Sequence, residues 1–481
     1  MTRVMTDKPE ARWADAPKLM HRVERIHLVG IGGTGMCGIA EVLINLGFKV
    51  SGSDQNISAV TRRLKELGAE IFHGHHAKHV DGCDVVVVSG AIGQDNPEQV
   101  AAHQQRIPVV ARAEMLGELM RFRQGIAVAG SHGKTTTTSM IAAILAEAGL
   151  DPTFVVGGLI HAYGANARLG QGRYLVAEAD ESDGSFLQLQ PMMALVTNID
   201  RDHLDAYQGS FDQLQAAFLA FLHHLPFYGV AVLGIDDPHV AELLPDVARN
   251  VVTYGLSPEA DVRATDIEQQ ERHMRFNLCL PNVAAPIPIH LALPGRHAVQ
   301  NALGAAAVAW ELGVQEDAIA RGLAQFTGVG RRFDPLGELS LTDNRRVLAF
   351  EDYGHHPTEL DAVIRAARSG WPDRRLVVVF QPHRYTRTRD QFDAFVRVLT
   401  EPDVLILADV YAAGEPVIPG IDSDALAKAI RNRSESDVIR IGSVDEAKAP
   451  IQSLCKDHDL LLIMGAGDVG QLGQSLREWA A

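Results

Sequence analysis

The chain has 481 residues, too many for one ordinary core and enough for roughly two to four domains. Its 46% apolar and 22% charged content is that of a soluble globular protein. With 44 Lys and Arg against 60 Asp and Glu the net charge is −16, which excludes a general binder of nucleic acid or anionic membranes.

Residues 1–22 are polar and mixed in charge, with no apolar core for a signal peptide, and 1–24 reads as a flexible tail. No apolar run reaches the ~18 residues of a membrane helix. Cys37, Cys83, Cys279 and Cys455 are scattered and form no Cys-x-x-Cys pair, as suits a reducing compartment. The expectation is a cytoplasmic protein without stable membrane association.

Short β-branched runs alternate with helical stretches. The expected strands are Ile26–Val29, Val85–Ser89, Ile126–Ala129, Tyr174–Glu178, Leu195–Asn198, Val230–Gly234, Leu376–Phe380, Val404–Leu407 and Leu460–Met464. This alternation predicts α/β architecture with parallel, doubly wound sheets. The stretch from about 260 to 290 is polar and β-leaning and reads as a small antiparallel patch. A strand running into a polar turn and a helix recurs near 30, 130 and 352. Three domains follow, 25–123, 124–333 and 334–481, with one boundary after the helix Glu114–Met120 and the other after Arg331-Arg332-Phe333.

The first opening, HLVGIGGTGMCG, places Gly30, Gly32, Gly33 and Gly35 between a strand and a helix, and Asp54 ends the next strand. Glycines allow a tight turn and close approach to a diphosphate, and the acid suits a ribose hydroxyl. A dinucleotide and a nucleotide-sugar satisfy this pattern equally. His73, His75, His76 and His79 crowd a later stretch, where a zinc site and solvated or ligand-contacting loop histidines both remain open.

The second opening is AVAGSHGKTTTTSM. A Walker loop would have glycine at Val128; the nearest is Gly130, leaving a short Gly130-Ser131-His132-Gly133 turn before Lys134 and Thr135. Such a turn can still aim amides at phosphates, with Lys134 as a point charge and the Thr135 hydroxyl toward Mg²⁺. Glu178, Asp180, Glu181 and Asp183 follow one apolar strand, and Asn198, Asp200, Asp202 and His203 follow the next. Hard oxygen ligands at neighbouring strand ends suit Mg²⁺ bridging ATP phosphates.

The third group ends strands at Asp352, at Gln381, His383 and Arg384, at Asp409, and at Gly465–Asp468. These should gather along one sheet edge facing the central domain. Arg384 and Arg387, three residues apart, can grip a carboxylate.

Together GSHGKTTTT, EADESDGSF, TNIDRDHLD, PGRHAVQNALGAAAVA, GVGRRF, EDYGHHPTE, VFQPHRYTRT and MGAGDVG resemble the Mur ligases of bacterial cell-wall synthesis, over about residues 25–470. In that family the phosphate loop is short, Gly-Thr-His-Gly-Lys-Thr-Thr; Ser131 keeps the hydroxyl. The resemblance implies a Rossmann-like UDP-binding domain, a central P-loop ATPase-like domain and a C-terminal Rossmann-like domain. It implies ATP-dependent joining of L-alanine to the lactyl carboxylate of UDP-N-acetylmuramate through an acyl phosphate, with ATP and two Mg²⁺ sites, as a monomer or homodimer. By resemblance Gly130, Ser131, His132, Gly133, Lys134, Thr135, Thr136, His297, Asn301, Arg331, Asp352 and Tyr353 bind ATP. Thr135 and Glu178 ligate one Mg²⁺, and Glu178 and His203 a second. Gly30, Gly32, Gly33, Gly35, Asp54 and Ser89 bind the UDP-sugar; His356, Arg384 and Arg387 bind L-alanine. Lys134, Glu178, His203 and Arg384 are the expected catalytic set.

Other readings compete. A recycling ligase attaching a tripeptide to the same sugar nucleotide shares most motifs, but Glu-Ala-Asp-Glu-Ser-Asp favours the alanine reaction. Folate polyglutamylation lacks the UDP-binding domain. An NAD-dependent dehydrogenase would leave the Lys134–Thr135 loop and both acidic clusters unused.

Overall fold

The computed structural model describes residues 20–90, 92–434 and 436–479; the expected tail lies, up to residue 19, outside them. The chain forms two compact units. The first holds residues up to Arg263 with Leu280–Asn282 and Leu303–Gly322, and the second holds Ala264–Cys279, Val283–Ala302 and the chain from Leu323 onward.

The first unit contains two sheets. One consists of β1 (Arg25–Val29), β2 (Lys49–Asp54), β3 (Glu70–His73), β4 (Val85–Val88) and β5 (Val109–Ala111), in the order β3-β2-β1-β4-β5. All its pairs are parallel. The other is built from β6 (Gln124–Ala129), β7 (Thr153–Ile160), β8 (Ala165–Arg168), β9 (Tyr174–Glu178), β10 (Met193–Val196), β11 (Val230–Gly234), β12 (Asn250–Gly255) and the start of β13 (Val262–Gln270). It runs β13-β12-β11-β10-β6-β9-β7-β8, parallel except for the β7–β8 hairpin. Strands such as VVVV and IAVA are apolar on both faces because helices cover both sides of a parallel sheet.

A continuous core joins the two sheets, running from Ile26 and Leu43 through Met115 to Ala129, Val196 and Phe218. The helix Thr34–Asn45 that leaves the first glycine loop packs on the β7–β8 hairpin of the second sheet. A Cβ at Gly38 would stand 3.0 Å from Val155 and 3.1 Å from Ala167, so glycine there permits the approach. Asn166 Nδ2 donates to Cys37 Sγ across the same contact at 3.0 Å. The sequence reading missed this hairpin: residues 153–168 are glycine-interrupted and show little strand alternation.

The second unit holds the hairpin β14 (His273–Cys279) and β15 (Ile287–Leu291), antiparallel as the polar, β-leaning stretch suggests. It also holds a six-stranded sheet of β16 (Asp334–Ser340), β17 (Arg346–Asp352), β18 (Leu376–Phe380), β19 (Val404–Leu407), β20 (Asp437–Arg440) and β21 (Leu460–Met464). Its order is β16-β17-β21-β18-β19-β20, with only β16 antiparallel. Separate cores cover its two faces, one around Phe380 and Phe395, the other around Val379 and Ile451. Gln269 Nε2 donates to Ala366 O at 2.8 Å, tying the β13–β14 turn to the helix Pro357–Gly370.

Candidate functional site

In the first sheet the glycine loop stands at the C-terminal end of β1, with Gly30 at φ +79. Gly30 N and Ile31 N both donate to Ser53 O, at 2.8 and 3.1 Å, so the end of β2 anchors the loop. Asp54 Oδ2 accepts Gly32 N at 2.9 Å and Oδ1 accepts Asn56 N at 3.0 Å; the acid expected at a ribose also braces the loop. A Cβ at Gly30 would lie 3.5 Å from Ser89 Cβ, so these two predicted residues meet. Gly33 caps the following helix without a side-chain bond, the arrangement in which helix amides serve an anion. A cavity of about 430 Å³ opens at the ends of β2, β3 and β4, lined by Gln55, His75, Ile92, Gly93, Asp95 and Asn96 among others.

The histidine-rich stretch is not a solvated loop throughout. Glu98, fully buried, accepts His79 Nδ1 at 2.6 Å, His75 Nδ1 at 3.2 Å and Ser53 Oγ at 2.5 Å. His27 Nε2, also fully buried, is 3.7 Å away. Burial pushes the Glu98 carboxyl up, but these neighbours outweigh it and hold it at about 2. Sequence reading missed Glu98 because nothing local marks it as the histidines' partner.

The second site surrounds the short phosphate loop. Gly130, at φ +126, could not carry a Cβ, which would overlap Thr197 Oγ1 and stand 2.9 Å from Asn198 O. Gly133 is left-handed at φ 84 and opens the helix Lys134–Glu147, which holds Thr135 and Thr136. The end of β10 clamps the turn: Ser131 N donates to Asn198 O at 2.9 Å, and His132 N to Asn198 Oδ1 at 2.9 Å. Ser131 Oγ accepts Asp200 N at 2.8 Å, and His132 Nε2 lies 2.9 Å from Asp200 Oδ2. The two predicted segments therefore form one structure.

Lys134 Nζ donates to Gly130 O at 2.6 Å and to both oxygens of Glu181, at 2.9 and 2.7 Å. Burial opposes its charge, but Glu181, Asp180 and Glu178 outweigh burial and hold the ammonium above its ordinary range. Glu178 accepts Gly157 N at 2.7 Å and the Thr135 hydroxyl; burial pushes its carboxyl above the usual range. These hard oxygens beside a half-buried, under-compensated carboxyl fit a divalent cation. His203 begins the turn after β10 at φ 57, 3.5 Å from Asp202. The acidic loop after β9 also reaches the first sheet: Arg112 Nη2 lies 3.5 Å from Asp180 Oδ2, and a Cβ at Gly90 would be 3.3 Å from Asp183 Oδ2.

In the second unit the strand ends gather along one edge, as their polar residues predict. His383 stacks on Tyr411 with ring centroids 5.4 Å apart, and Gln381 Nε2 donates to Asp468 Oδ1 at 2.5 Å. Arg331 Nε donates to Glu351 Oε1 at 2.6 Å and Nη2 to Gly465 O at 2.7 Å. The Arg331 and Arg332 guanidiniums lie 4.8 and 5.3 Å from the Tyr353 ring centre. Buried Asp352 accepts Phe333 N at 2.8 Å and Gly354 N at 2.6 Å, so it shapes the turn presenting Tyr353. Burial, then the Arg332 charge, pull the His297 imidazole down to about 4; Asn301 is buried one helical turn further on. His356 caps the helix Pro357–Gly370. Arg387 is buried with Nη1 3.4 Å from His383 Nδ1. Arg384 has φ +71, and its N–H donates to Tyr411 O at 2.8 Å. His203, Arg331 and Arg384 all have positive φ, and strain of that kind collects at functional sites.

Two phosphate-type loops on parallel sheets, with an arginine-bearing strand edge on a third, define a multidomain α/β protein that handles nucleotide phosphates. The chain belongs to the Mur ligase family: its catalytic domain matches residues 25–124, its middle domain 128–309, and its glutamate ligase domain 331–467. The chain is 58% identical over 465 residues, 97% of each chain, to UDP-N-acetylmuramate–L-alanine ligase of Xanthomonas campestris pv. campestris, and 57% identical with the same coverage to that of Xanthomonas oryzae pv. oryzae. The crystal structure of UDP-N-acetylmuramate-alanine ligase from Thermotoga maritima matches with TM-score 0.78 at 26% identity, covering 94% of this chain and 98% of that one. A murein peptide ligase from Psychrobacter arcticus matches with TM-score 0.68 at 25% identity, covering 94% and 98%.

Proposed function

We propose that this chain joins L-alanine to the lactyl carboxylate of UDP-N-acetylmuramate, converting ATP to ADP and phosphate. The observation that carries this reading is the 58% identity, across 97% of both chains, to ligases of that name. Residues 25–123 hold the sugar nucleotide, 124–333 the ATP phosphates and 334–481 the amino acid.

A carboxylate is a poor electrophile. Its oxygen takes the γ-phosphoryl group of ATP, ADP leaves, and the resulting acyl phosphate carries a good leaving group. The alanine amine then attacks the acyl carbon, and the C–O bond to phosphate breaks as the amide forms. The chain's part is to hold several anions in line. The amides of Gly130–Gly133 receive phosphate oxygens, and Lys134 turns from Glu181 toward the β- and γ-phosphates. Thr135 with Glu178, and Glu178 with His203, would hold Mg²⁺, which neutralises phosphate charge when bound. His297, Asn301, Arg331 and Tyr353 line the nucleoside side, with Asp352 fixing the turn beneath Tyr353. Arg384 and Arg387 take the alanine carboxylate, with His356 beside them. The cavity next to Gly30 receives the nucleoside of the sugar nucleotide.

Among the described residues no helix is long and apolar enough to cross a membrane, and the reading places the reaction in the cytoplasm. The test is phosphate release from ATP and Mg²⁺ with UDP-N-acetylmuramate, with L-alanine, with the tripeptide, or with neither. Release that needs both the sugar nucleotide and alanine supports the reading. Release only with the tripeptide transfers the chain to the recycling reaction, and no release under any pairing rejects a ligase.

A further inference from the structure

Arg112 belongs to neither loop motif, yet it stands between them. It opens the helix Arg112–Arg121 directly after β5, at the C-terminal edge of the first sheet. Its side chain lies across Gly35, in the first turn of the helix that leaves the glycine loop; a Cβ at Gly35 would overlap the guanidinium. The last glycine of the loop therefore clears space for a cation as well as for a turn.

On its other side Arg112 meets Asp180 of the acidic loop. The approach is loose: 3.5 Å between Nη2 and Oδ2, against about 2.7–2.9 Å for a charge-assisted hydrogen bond. Among the described residues Asp180 is its one ionic partner, and the two side chains keep 26% and 40% of their exposure. A guanidinium has five donors in a planar fork suited to two oxygens of one anion. Here that fork is held in place, hardly used, and open to solvent above the loop expected to take a diphosphate.

Resting on the ligase reading above, we infer that Arg112 exchanges Asp180 for the diphosphate of the sugar nucleotide. Without ligand it rests loosely against the acidic loop. With ligand it forks onto a phosphate over Gly35 and leaves the Asp180 carboxylate behind. Filling the first-sheet site thereby leaves Asp180 to Lys134 and Ser182, its partners on the ATP side, so the sugar nucleotide and the ATP site sense one another through one side chain.

The exchange makes two predictions of opposite sign. UDP is titrated calorimetrically into the full chain without ATP. Arg112→Gln should weaken UDP binding roughly 10- to 100-fold, the scale of a lost bidentate charged pair, and Arg112→Lys should recover part of it. Asp180→Asn removes the competitor and should tighten UDP binding about 2- to 5-fold, a small part of a partly exposed ion pair. ATP affinity should shift with saturating UDP in wild type and no longer do so in Arg112→Gln. A strut between the two loops, with no exchange, would weaken UDP in both variants, and that result overturns the inference. So does Arg112→Gln binding UDP like wild type, Asp180→Asn behaving like wild type, or an ATP affinity that responds to UDP in Arg112→Gln as it does in wild type. Wild type that takes no UDP would overturn the ligase reading itself, and this inference with it.

Discussion

Lys134 Nζ is bonded to both carboxylate oxygens of Glu181, at 2.9 and 2.7 Å, inside the loop whose phosphate it would serve. Glu181 is buried, and the same ammonium reaches Gly130 O at 2.6 Å. Without ligand, then, the loop carries its own internal anion. On the proposed reading, phosphate would displace a carboxylate rather than meet a vacant cation.

Breaking that pair from either side should separate stability from catalysis. Glu181→Ala leaves a buried ammonium without its carboxylate and should lower unfolding stability by about 3–5 kcal/mol in urea titration. Lys134→Met should lower phosphate release at least ~100-fold, the scale of a lost charge-stabilising donor, while UDP binding stays at the wild-type value. A Lys134→Met enzyme with near-normal turnover would remove lysine from the phosphate site.

Gly130 tests whether the shortened loop is tight by necessity. Its φ of +126 and the closeness of Thr197 and Asn198 leave no room for a methyl group. Gly130→Ala should lose about 2–4 kcal/mol of stability or displace the clamp on Asn198. ATP affinity, read by fluorescent-nucleotide displacement, should fall with it. Unchanged melting and unchanged ATP binding would show that the loop has slack.

The Glu98 cluster gives a pH signature. The folded carboxyl sits at about 2, below the ~4.5 of a free side chain. A depressed acid contributes stability that is fully present above about pH 4.5 and is lost as pH falls toward 2, at most roughly 3 kcal/mol. Wild type should lose stability across that window in acid-unfolding experiments. Glu98→Gln should be less stable at pH 7 and show a shallower loss between pH 4.5 and 2; an identical slope would place the acid sensitivity elsewhere.

On the third sheet edge, Arg384 and Arg387 should govern the amino acid and not the nucleotide. Arg387 is buried against His383, and Arg384 is held in an uncommon backbone conformation. Arg384→Lys keeps the charge but loses the fork, and should raise the KM for L-alanine roughly 10-fold with the KM for ATP little changed. Equal increases in both would point to a nucleotide role.

Much of this was legible in the sequence. Parallel strands buried on both faces read as continuous apolar runs, so β18 and β21 were located to the residue, while β10 lies two residues before its expected position. The glycine loops were legible for a similar reason: positive φ and close approach restrict residue type locally, and Gly30, Gly130 and Gly133 carry that restriction. The β7–β8 hairpin was not legible, because its strands are defined by the helix that packs on them rather than by their own alternation.

Glycine, apolar periodicity and strand-end polarity are local properties of a chain, and by themselves they determined the α/β class, the three polar strand edges and the family motifs. Which charges meet was decided only by packing. Lys134 and Glu181 stand 47 positions apart, yet share a bond because β6 and β9 are neighbours. Arg112 covers Gly35, and Glu98 collects histidines from β1, the turn after β3 and the short helix beyond it. Electrostatic energy depends on distances of a few ångströms and on burial, and both quantities come into being only when the sheets and helices close on one another.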